Sequence, residues 1–276
     1  MARRWKLPSR RGDQVALAVF TFGGVFALWY EVCHVLPTFY PEWTTAAYVH
    51  CVAAGVFASN IYGNMIMLAT TDISGSDLVM PTGPAPNGWR YCDVCVCNYP
   101  PRSHHCKLCN VCVLKRDHHC FFSGYCIGYH NYRYYVVMVT YMMIAGIYGN
   151  IFNLSFVLGV KGGISFWHLI SFCAPHAGFM FGLESLYVSF ITSVTSVGFL
   201  VTYCFAWLFI NQVIQIYKGQ TMHERKKNIS TYNLGLEQNL VEALGKNWYL
   251  VWFAPWIPSE LPGDGLLFRS LDTKDQ

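Results

Sequence analysis

Residues 92–126 read CDVCVCNYPPRSHHCKLCNVCVLKRDHHCFFSGYC and hold eight cysteines and four histidines. Pairs of cysteines with two residues between them, and with further Cys or His nearby, are typical ligands of tetrahedral zinc. Three such pairs occur in this stretch: Cys92 with Cys95, Cys106 with Cys109, and Cys109 with Cys112. The last two pairs share Cys109. The pattern predicts a zinc-binding module, and long apolar segments on both sides of it predict that the module lies against a membrane.

The composition is that of a polytopic membrane protein rather than a soluble domain. Charged residues make up 12% of the chain and hydrophobic residues 54%, whereas soluble domains carry about 25% charged residues. Each apolar segment exceeds the roughly 20 residues that a helix needs to cross the hydrocarbon core. Backbone groups must be satisfied within lipid, so these segments are predicted to be helices. They are Val15–Leu36, Ala46–Ala69, Val136–Val160 and Leu186–Ile210, the last with an extension to Ile216.

Lys and Arg are concentrated outside these spans, and none lies between Arg11 and Arg90. Cytoplasmic loops carry the excess of Lys and Arg, so the N-terminus, the cysteine module and the tail are predicted to be cytoplasmic. A cleaved signal peptide is not expected, because the first apolar run is too long for one. The further apolar stretch Ile164–Phe181, interrupted by Pro175 and Gly178, is predicted to be a lumenal or half-inserted hairpin.

The predicted fold class is an all-α integral membrane protein with four transmembrane helices and a cytoplasmic zinc-binding domain between helices two and three. No internal repeat stands out. The predicted divisions are a basic cytoplasmic N-terminus (1–14), the first two spans (15–69), a linker with the cysteine-rich domain (70–135), the last two spans with the hairpin (136–216), and a cytoplasmic tail (217–276).

Thiols are kept reduced in the cytoplasm, so the cysteine pattern predicts metal binding or catalysis rather than disulfides. Two four-ligand zinc sites would need eight ligands, which leaves a surplus among the Cys and His residues of the module. Spacing alone does not say which residues are left over, and two all-cysteine sites would leave no thiol for catalysis. At Asp117-His118-His119-Cys120, a neighbouring imidazole would activate a free thiol, and a carboxylate would orient the imidazole.

The segment Cys92–Tyr135 resembles the cysteine-rich domain of the DHHC protein S-acyltransferases, also called palmitoyltransferases. The four-span layout around the module is also similar to that family. The residues that carry the resemblance are Pro101, Ser103, His105, Cys106, the three cysteine pairs, Asp117-His118-His119-Cys120, Cys126, Gly128 and Asn131.

The resemblance implies two structural Zn²⁺ ions and a free nucleophile. The implied ligand sets are Cys92, Cys95, His105 and Cys112 for the first ion, and Cys106, Cys109, His119 and Cys126 for the second. Cys120 is then the nucleophile, His118 its base, and Asp117 the residue that orients His118; Cys97 has no implied role.

The implied reaction proceeds in two steps. Acyl-CoA, with palmitoyl-CoA as the expected donor, acylates Cys120, and the chain then passes to a protein substrate with a membrane-proximal cytoplasmic cysteine. The acyl chain is expected to lie among the membrane helices. The expected location is an endomembrane (Golgi or endoplasmic reticulum) or the plasma membrane.

Two supporting motifs are also similar to the family. Thr221-Met222-His223-Glu224 resembles a Thr-Thr-x-Glu motif in which Met222 replaces the second Thr. A C-terminal motif with a buried Asn is resembled by Tyr232, Gly235, Asn239 and Gly245.

Three departures from the family pattern keep an alternative open. Phe121-Phe122 replaces Pro-Trp after the nucleophile, Tyr125 replaces an Asn, and Tyr99 replaces a basic residue. The alternative is a non-catalytic, zinc-stabilised membrane adaptor of the same fold.

Basic residues near Cys120 are candidates for contacts with the phosphates of CoA, since Lys and Arg suit phosphate recognition. They are Lys115, Arg116 and Arg133. The bias of positive charge towards the cytoplasm explains their presence equally well. Nucleic-acid binding is not expected, because the module is tied to two spans and lacks a basic helix that would fit a groove.

Overall fold

The computed structural model describes residues 7–73 and 87–270. The basic residues Arg3, Arg4 and Lys6 lie outside the described residues, as does most of the linker between the second span and the module. The last six residues of the predicted cytoplasmic tail also lie outside them.

Four helices are long and apolar enough to cross a membrane: α1 (Arg11–Phe39), α2 (Thr45–Thr70), α3 (Tyr132–Lys161) and α6 (Leu186–Tyr217). Each contains one of the predicted spans and extends it by a few residues, which confirms the four apolar helices. Helix α1 includes one π-helical turn at Glu31–Val35. Between α3 and α6 lie two short helices, α4 (Phe166–Cys173) and α5 (Pro175–Met180).

The all-α prediction is wrong for the cysteine module, which consists of three antiparallel β-hairpins. Their strands are β1 (Arg90–Cys92) and β2 (Cys97–Tyr99), β3 (His104–Cys106) and β4 (Val111–Val113), and β5 (His118–Cys120) and β6 (Tyr125–Ile127). Each strand has three residues, too short for the two-residue hydrophobic alternation that marks a strand in a sequence. The cysteine spacing fixes the turns instead.

The three hairpins form an internal repeat of 14 residues, a feature that the sequence analysis missed. The pairs Arg90 with Tyr99, His104 with Val113, and His118 with Ile127 are related by this shift. The turns share one backbone feature, a left-handed residue four positions after the first cysteine: Val96 (φ 52°), Asn110 (φ 54°) and Gly124 (φ 71°). A β-branched residue rarely adopts this conformation, so Val96 shows that the turn geometry overrides local preference.

The chain forms two compact units. The first comprises residues 7–23, 60–73, 87–138 and 210–270, and so contains the three hairpins and the tail. Its buried residues include Cys106, Val113 and Cys126, against which Ile73 packs. The tail adds two short helices, α7 (Met222–Lys226) and α8 (Leu236–Leu244).

The second unit comprises residues 24–59 and 139–209. Its core contains Tyr30, Val35, Phe156, Val157 and Ile191. Polar side chains within its helices bond to one another, as Asn153 does to Glu31 and Asn150 to Thr202. Interhelical hydrogen bonds of this kind are expected between helices in lipid.

The tail approaches helix α2 closely at Gly63. A Cβ atom at Gly63 would lie 2.6 Å from Cγ of Pro255, whereas one at Gly55, two turns earlier, would have no neighbour within 4 Å. Both glycines belong to a stripe of small residues at four-residue spacing. Close packing therefore requires glycine at position 63.

We predict that Gly63→Val destabilises the protein by about 1–3 kcal/mol more than Gly55→Val, because overpacking costs that much. The two substitutions share the same change in helix propensity, so their difference isolates the contact with Pro255. Thermal unfolding of the purified proteins in detergent measures this difference. Equal midpoints for the two variants would contradict the packing described here.

Candidate active site and zinc centres

The first ligand cluster combines the turn of one hairpin with a cross-strand pair of the next. Cys92 ends β1 and Cys95 lies in the β1–β2 turn, while His105 and Cys112 face each other across β3 and β4. Nδ1 of His105 lies 3.3 Å from Sγ of Cys95 and 3.7 Å from Sγ of Cys92. All four ligand atoms lie within 4.8 Å of one another.

The second cluster repeats this arrangement one hairpin later. Cys106 ends β3 and Cys109 lies in the β3–β4 turn, and His119 and Cys126 face each other across β5 and β6. Nδ1 of His119 lies 3.3 Å from Sγ of Cys109, 3.8 Å from Cys106 and 3.7 Å from Cys126.

Both clusters fit a tetrahedral zinc ion. Zn–S bonds of about 2.3 Å and Zn–N bonds of about 2.0–2.1 Å place neighbouring ligand atoms about 3.5–3.8 Å apart in a tetrahedron. The Sγ atoms of Cys109 and Cys126 lie 3.6 Å apart, in line with this value. The structure therefore brings the eight predicted ligands together in the predicted sets of four, three Cys and one His in each.

The third hairpin follows the same pattern but lacks one thiol. Cys120 is equivalent to Cys92 and Cys106, whereas the position equivalent to Cys95 and Cys109 is Ser123. A serine hydroxyl is not a usual zinc ligand, and Cys120 belongs to neither cluster. The 14-residue repeat thus leaves one turn cysteine over, at Cys120.

Cys120 lies beside an imidazole that a carboxylate orients. Nδ1 of His118 is 2.7 Å from Oδ2 of Asp117. The Cys120 residue is 3% exposed and Asp117 is 5% exposed, so both groups are shielded from water. The structure thus brings the three residues Asp117, His118 and Cys120 together, as a nucleophile with its base and orienting residue would require.

The pKa shifts at this site favour the reactive ionisation state. Burial alone would lower the pKa of His118, but hydrogen bonds to Asp117 and Cys120 outweigh it and raise the pKa to about 9. Burial alone would raise the pKa of the Cys120 thiol, but His118 and Ser123 outweigh it and lower that pKa. A thiolate beside an imidazolium is the form in which a cysteine attacks.

The tail supports Asp117 through a backbone group. The N–H of Met222 donates to Oδ1 of Asp117 at 2.7 Å, so loss of the second Thr of the motif leaves this bond intact. Thr221 and Glu224 form a capping box at the start of α7, in which the Thr221 side chain accepts from the N–H of Glu224. This capping fixes the direction of the first N–H groups of the helix.

Glu224 also forms a buried ion pair with Arg102. Nε and Nη2 of Arg102 lie 2.7 and 2.8 Å from the two carboxylate oxygens of Glu224. The two side chains are 4% and 5% exposed. The guanidinium also lies 4.1 Å from the ring centroid of Tyr232. Removing one partner of a buried pair leaves an uncompensated charge, so the contact between the tail and the cysteine module depends on both Arg102 and Glu224.

Asn239 is buried at 3% exposure with its amide satisfied. Its Oδ1 accepts from the N–H of Leu234 at 3.1 Å, and its Nδ2 donates to the carbonyl of Tyr217 at 3.0 Å. Asn239 thus joins helix α8 to the end of α6. The prediction that it is a supporting residue remains a proposal, and these bonds give it a physical basis.

Each of the three candidate CoA contacts has an internal partner. Nζ of Lys115 donates to the carbonyl of Glu242 at 3.1 Å. Burial, with a smaller contribution from the charge of Arg102, lowers the pKa of Lys115 to about 7. Nη2 of Arg116 points to Sγ of Cys106 at 3.8 Å. Arg133 bonds to the carbonyl of Ser259 at 3.2 Å but also lines an open surface pocket.

The residues that depart from the family pattern are exposed or half-buried. Phe121 and Phe122, in the turn after the nucleophile, are 61% and 36% exposed. Tyr99 and Tyr125 are half-buried. None of the four belongs to a ligand cluster or to the Asp117–His118 pair, so these departures leave the site's geometry in place.

Sequence reasoning missed Ser123 and the backbone of Met222. The 14-residue spacing was available in the sequence and would have identified Ser123 as the position of a missing turn cysteine. The backbone bond of Met222 had no signal in the sequence, because it depends on how the tail packs on the module.

We predict that Cys109→Ser loses zinc and folded protein together, because structural zinc contributes directly to folding. Cys97→Ser is the matched control, since Cys97 lies outside both clusters in the same module. The zinc content of the purified proteins, measured together with their thermal unfolding, tests the pair of variants. A stable, zinc-loaded Cys109→Ser protein would contradict the ligand set.

Known proteins are similar to this chain over a stretch that includes the residues described above. A family model described as DHHC palmitoyltransferase matches residues 85–229, just over half of the chain. The chain is 35% identical to the probable palmitoyltransferase ZDHHC24 of Danio rerio over 292 positions, covering 100% of this chain and 98% of that protein. It is 33% identical to the probable palmitoyltransferase ZDHHC24 of Rattus norvegicus (76% and 75% covered) and 29% identical to palmitoyltransferase ZDHHC22 of the same species (79% and 81% covered). This chain belongs to the DHHC palmitoyltransferase family.

Proposed function

We propose that this chain is a membrane protein-cysteine S-acyltransferase that carries a fatty acyl chain as a thioester on Cys120. Cys120 is assigned as the acyl carrier because it belongs to neither ligand cluster and lies beside the His118–Asp117 pair. Family membership supports the class of reaction.

In the first half of the reaction, His118 takes the proton of the Cys120 thiol. The sulfur attacks the carbonyl carbon of the acyl-CoA thioester, with palmitoyl-CoA as the expected donor. A new S–C bond forms, the bond to the CoA sulfur breaks, and the proton passes from His118 to the departing CoA thiolate. Asp117 holds Nδ1 of His118, which directs the other ring nitrogen to proton transfer.

In the second half, the cysteine of a protein substrate attacks the Cys120 thioester. Its thiol proton passes to His118, the acyl group moves to the substrate sulfur, and Cys120 is released for another cycle. One thioester is exchanged for another in each half, so the reaction needs no separate energy source. Substrate cysteines close to the cytoplasmic membrane face fit a module that runs into helix α3 at Tyr132.

Zinc has a structural role in this proposal. Cys92, Cys95, His105 and Cys112 would hold one ion, and Cys106, Cys109, His119 and Cys126 the other. Closed four-ligand sites of this kind contribute folding energy and leave no open position for a substrate. The ligand sets therefore hold the three hairpins, and Cys120 with them.

Recognition of the donor's phosphates is assigned to Arg133. This side chain lines an open pocket with Ser259 and Gly263. Lys115, whose Nζ donates to the carbonyl of Glu242, and Arg116, whose Nη2 faces Sγ of Cys106, are assigned to the fold instead. The N-terminus, the module and the tail are proposed to lie on the cytoplasmic side of an endomembrane or the plasma membrane. Lys and Arg are concentrated in these parts, and cytoplasmic segments carry an excess of these residues.

The segment between α3 and α6 is proposed to be half-inserted in the opposite leaflet. Its exposed side chains are mostly large and apolar, among them Phe166, Trp167, Met180, Phe181 and Leu183, all more than 70% exposed. Lys161, the last residue of α3, has a side chain that is 2% exposed, and it pairs with Glu184 of this segment at 2.8 Å. Backbone carbonyls at Phe172 and Pro175 accept bonds from serines of α6. Internal satisfaction of polar groups is what lipid requires.

Acyl transfer from a labelled long-chain acyl-CoA to the purified protein tests the proposed function. We expect the wild type to acquire a label that hydroxylamine releases, since hydroxylamine cleaves thioesters. Cys120→Ser should acquire none while keeping the zinc content of the wild type. Loss of zinc in Cys120→Ser would contradict its assignment as a free thiol. An unlabelled, zinc-loaded wild type that still binds partner proteins would instead establish the adaptor alternative.

We predict that Met222→Pro slows acylation of Cys120 by at least about tenfold, because a hydrogen bond to a charged group contributes roughly 1.5–3 kcal/mol. Proline is favoured at the first position of a helix, which Met222 occupies. In the backbone, the substitution removes the N–H group that donates to Asp117. Met222→Ala keeps that N–H and is the matched control. Equal acylation rates for the two variants would show that the bond to Asp117 is unimportant.

We predict that native Cys173, exposed in the segment between α3 and α6, is inaccessible to a charged, membrane-impermeant maleimide. An apolar maleimide should label it. Glu42→Cys, in the connection between α1 and α2, provides an aqueous control on the same side of the membrane. Labelling of reconstituted vesicles, resolved by peptide mass spectrometry, measures both sites. Equal labelling by the charged reagent would place the segment in water.

A further inference from the structure

The chain before the first membrane helix packs against the third hairpin. A Cβ atom at Gly124 would lie 2.4 Å from Cγ of Pro8 and 3.1 Å from Cβ of Asp13. Nε2 of Gln14 donates to the carbonyl of Pro8 at 2.8 Å, which ties this segment to the first turn of α1. The turn that follows Cys120 is thus in direct contact with the start of α1.

Asp13 carries a buried carboxylate at this contact. Its side chain is 6% exposed, and Oδ2 lies 3.4 Å from Nε2 of His119, whose own side chain is 8% exposed. No other ion pair of Asp13 is found among the described residues. Burying a carboxylate without a partner is costly, so its position facing His119 requires a physical reason.

The two nitrogens of His119 face different groups. Nδ1 faces the three sulfurs of the second cluster, so it is the nitrogen that would bind metal. Nε2 then carries the proton, and it is buried with no hydrogen bond of ordinary geometry to any described residue. A ligating histidine generally donates its other N–H to a carboxylate, a carbonyl or water, which fixes the orientation of the ring.

The first cluster lacks this feature in the part of the chain that the structure describes. There, no carboxylate oxygen lies within 4.0 Å of a ring nitrogen of His105, whereas Asp13 meets this limit at His119. The two clusters have the same ligand types. They therefore provide an internal comparison, in which only the second has a carboxylate behind its histidine.

We propose that Asp13 is a positioning residue for the second zinc cluster, and that it accepts the Nε2 proton of His119 and holds the ring against Cys106, Cys109 and Cys126. This couples the first membrane helix to the hairpin that carries Cys120, the residue after His119. The inference rests on the proposed zinc ligation and is independent of acyl transfer.

Zinc release from the full-length protein tests this proposal without using activity. A chelator in excess is added to zinc-loaded protein, and the release of the two ions is followed in time. Alkylation during release, followed by peptide mass spectrometry, shows which thiols become free first. Asp13→Asn preserves the shape of the side chain and removes the carboxylate. Asp93→Asn, which removes an exposed carboxylate beside Cys92, is the matched control.

We expect Asp13→Asn to release one ion about 10- to 100-fold faster, because loss of an outer-shell partner typically lowers metal affinity by that factor. Cys106 and Cys109 should be the thiols alkylated early, and Asp93→Asn should match the wild type. In a His119→Cys background, Asp13→Asn should have no further effect, since there is no imidazole N–H to accept.

Three results would overturn the proposal. One is unchanged release in a folded Asp13→Asn protein. The second is equal acceleration of both ions, which would indicate a general loss of stability. The third is an effect of Asp13→Asn that persists in full without the imidazole of His119, which would reduce Asp13 to a packing residue.

Discussion

The grouping of Cys and His ligands across neighbouring hairpins is the constraint on which the rest of the site depends. Each ligand set takes two cysteines from the turn of one hairpin and a facing His–Cys pair from the next. Three-residue strands have little stability of their own in water. Binding of structural zinc contributes about 10–16 kcal/mol in small zinc-finger peptides, more than the roughly 3–5 kcal/mol at stake in a buried ion pair. With zinc bound at both sites, the clusters rather than the strands would hold the module together.

The proposed nucleophile follows from the same repeat. Two interleaved clusters need two turns, and the third turn provides Cys120 with Ser123 in place of a second cysteine. The histidine before Cys120 belongs to the second cluster, and the one before that pairs with Asp117. The tail then completes the site: the N–H of Met222 reaches Asp117, and Glu224 pairs with Arg102. The ligand clusters and the proposed nucleophile therefore share one short stretch of chain, and the tail contacts that stretch.

Much of this arrangement could be predicted from the sequence. Long apolar runs predicted the four helices, because crossing lipid imposes length and composition. The ligand sets followed from family resemblance, and the structure brings those residues together. The β-hairpins were not predicted, since three-residue strands leave no periodicity to detect. The long-range partners of Asp117, Arg102 and His119 were not predicted either, because each depends on where a distant segment packs. The role of Met222 was the most misleading, since its side chain departs from the motif while its backbone makes the bond.

Native mass spectrometry of the purified protein with and without long-chain acyl-CoA tests the central claim most directly, because it counts zinc ions and acyl groups on the same molecule. The account predicts that the protein retains two zinc ions while gaining a single acyl group, and that fragmentation locates this group on Cys120. An acyl group on a ligand cysteine, or loss of a zinc ion on acylation, would contradict the claim that the zinc clusters leave Cys120 as the free thiol.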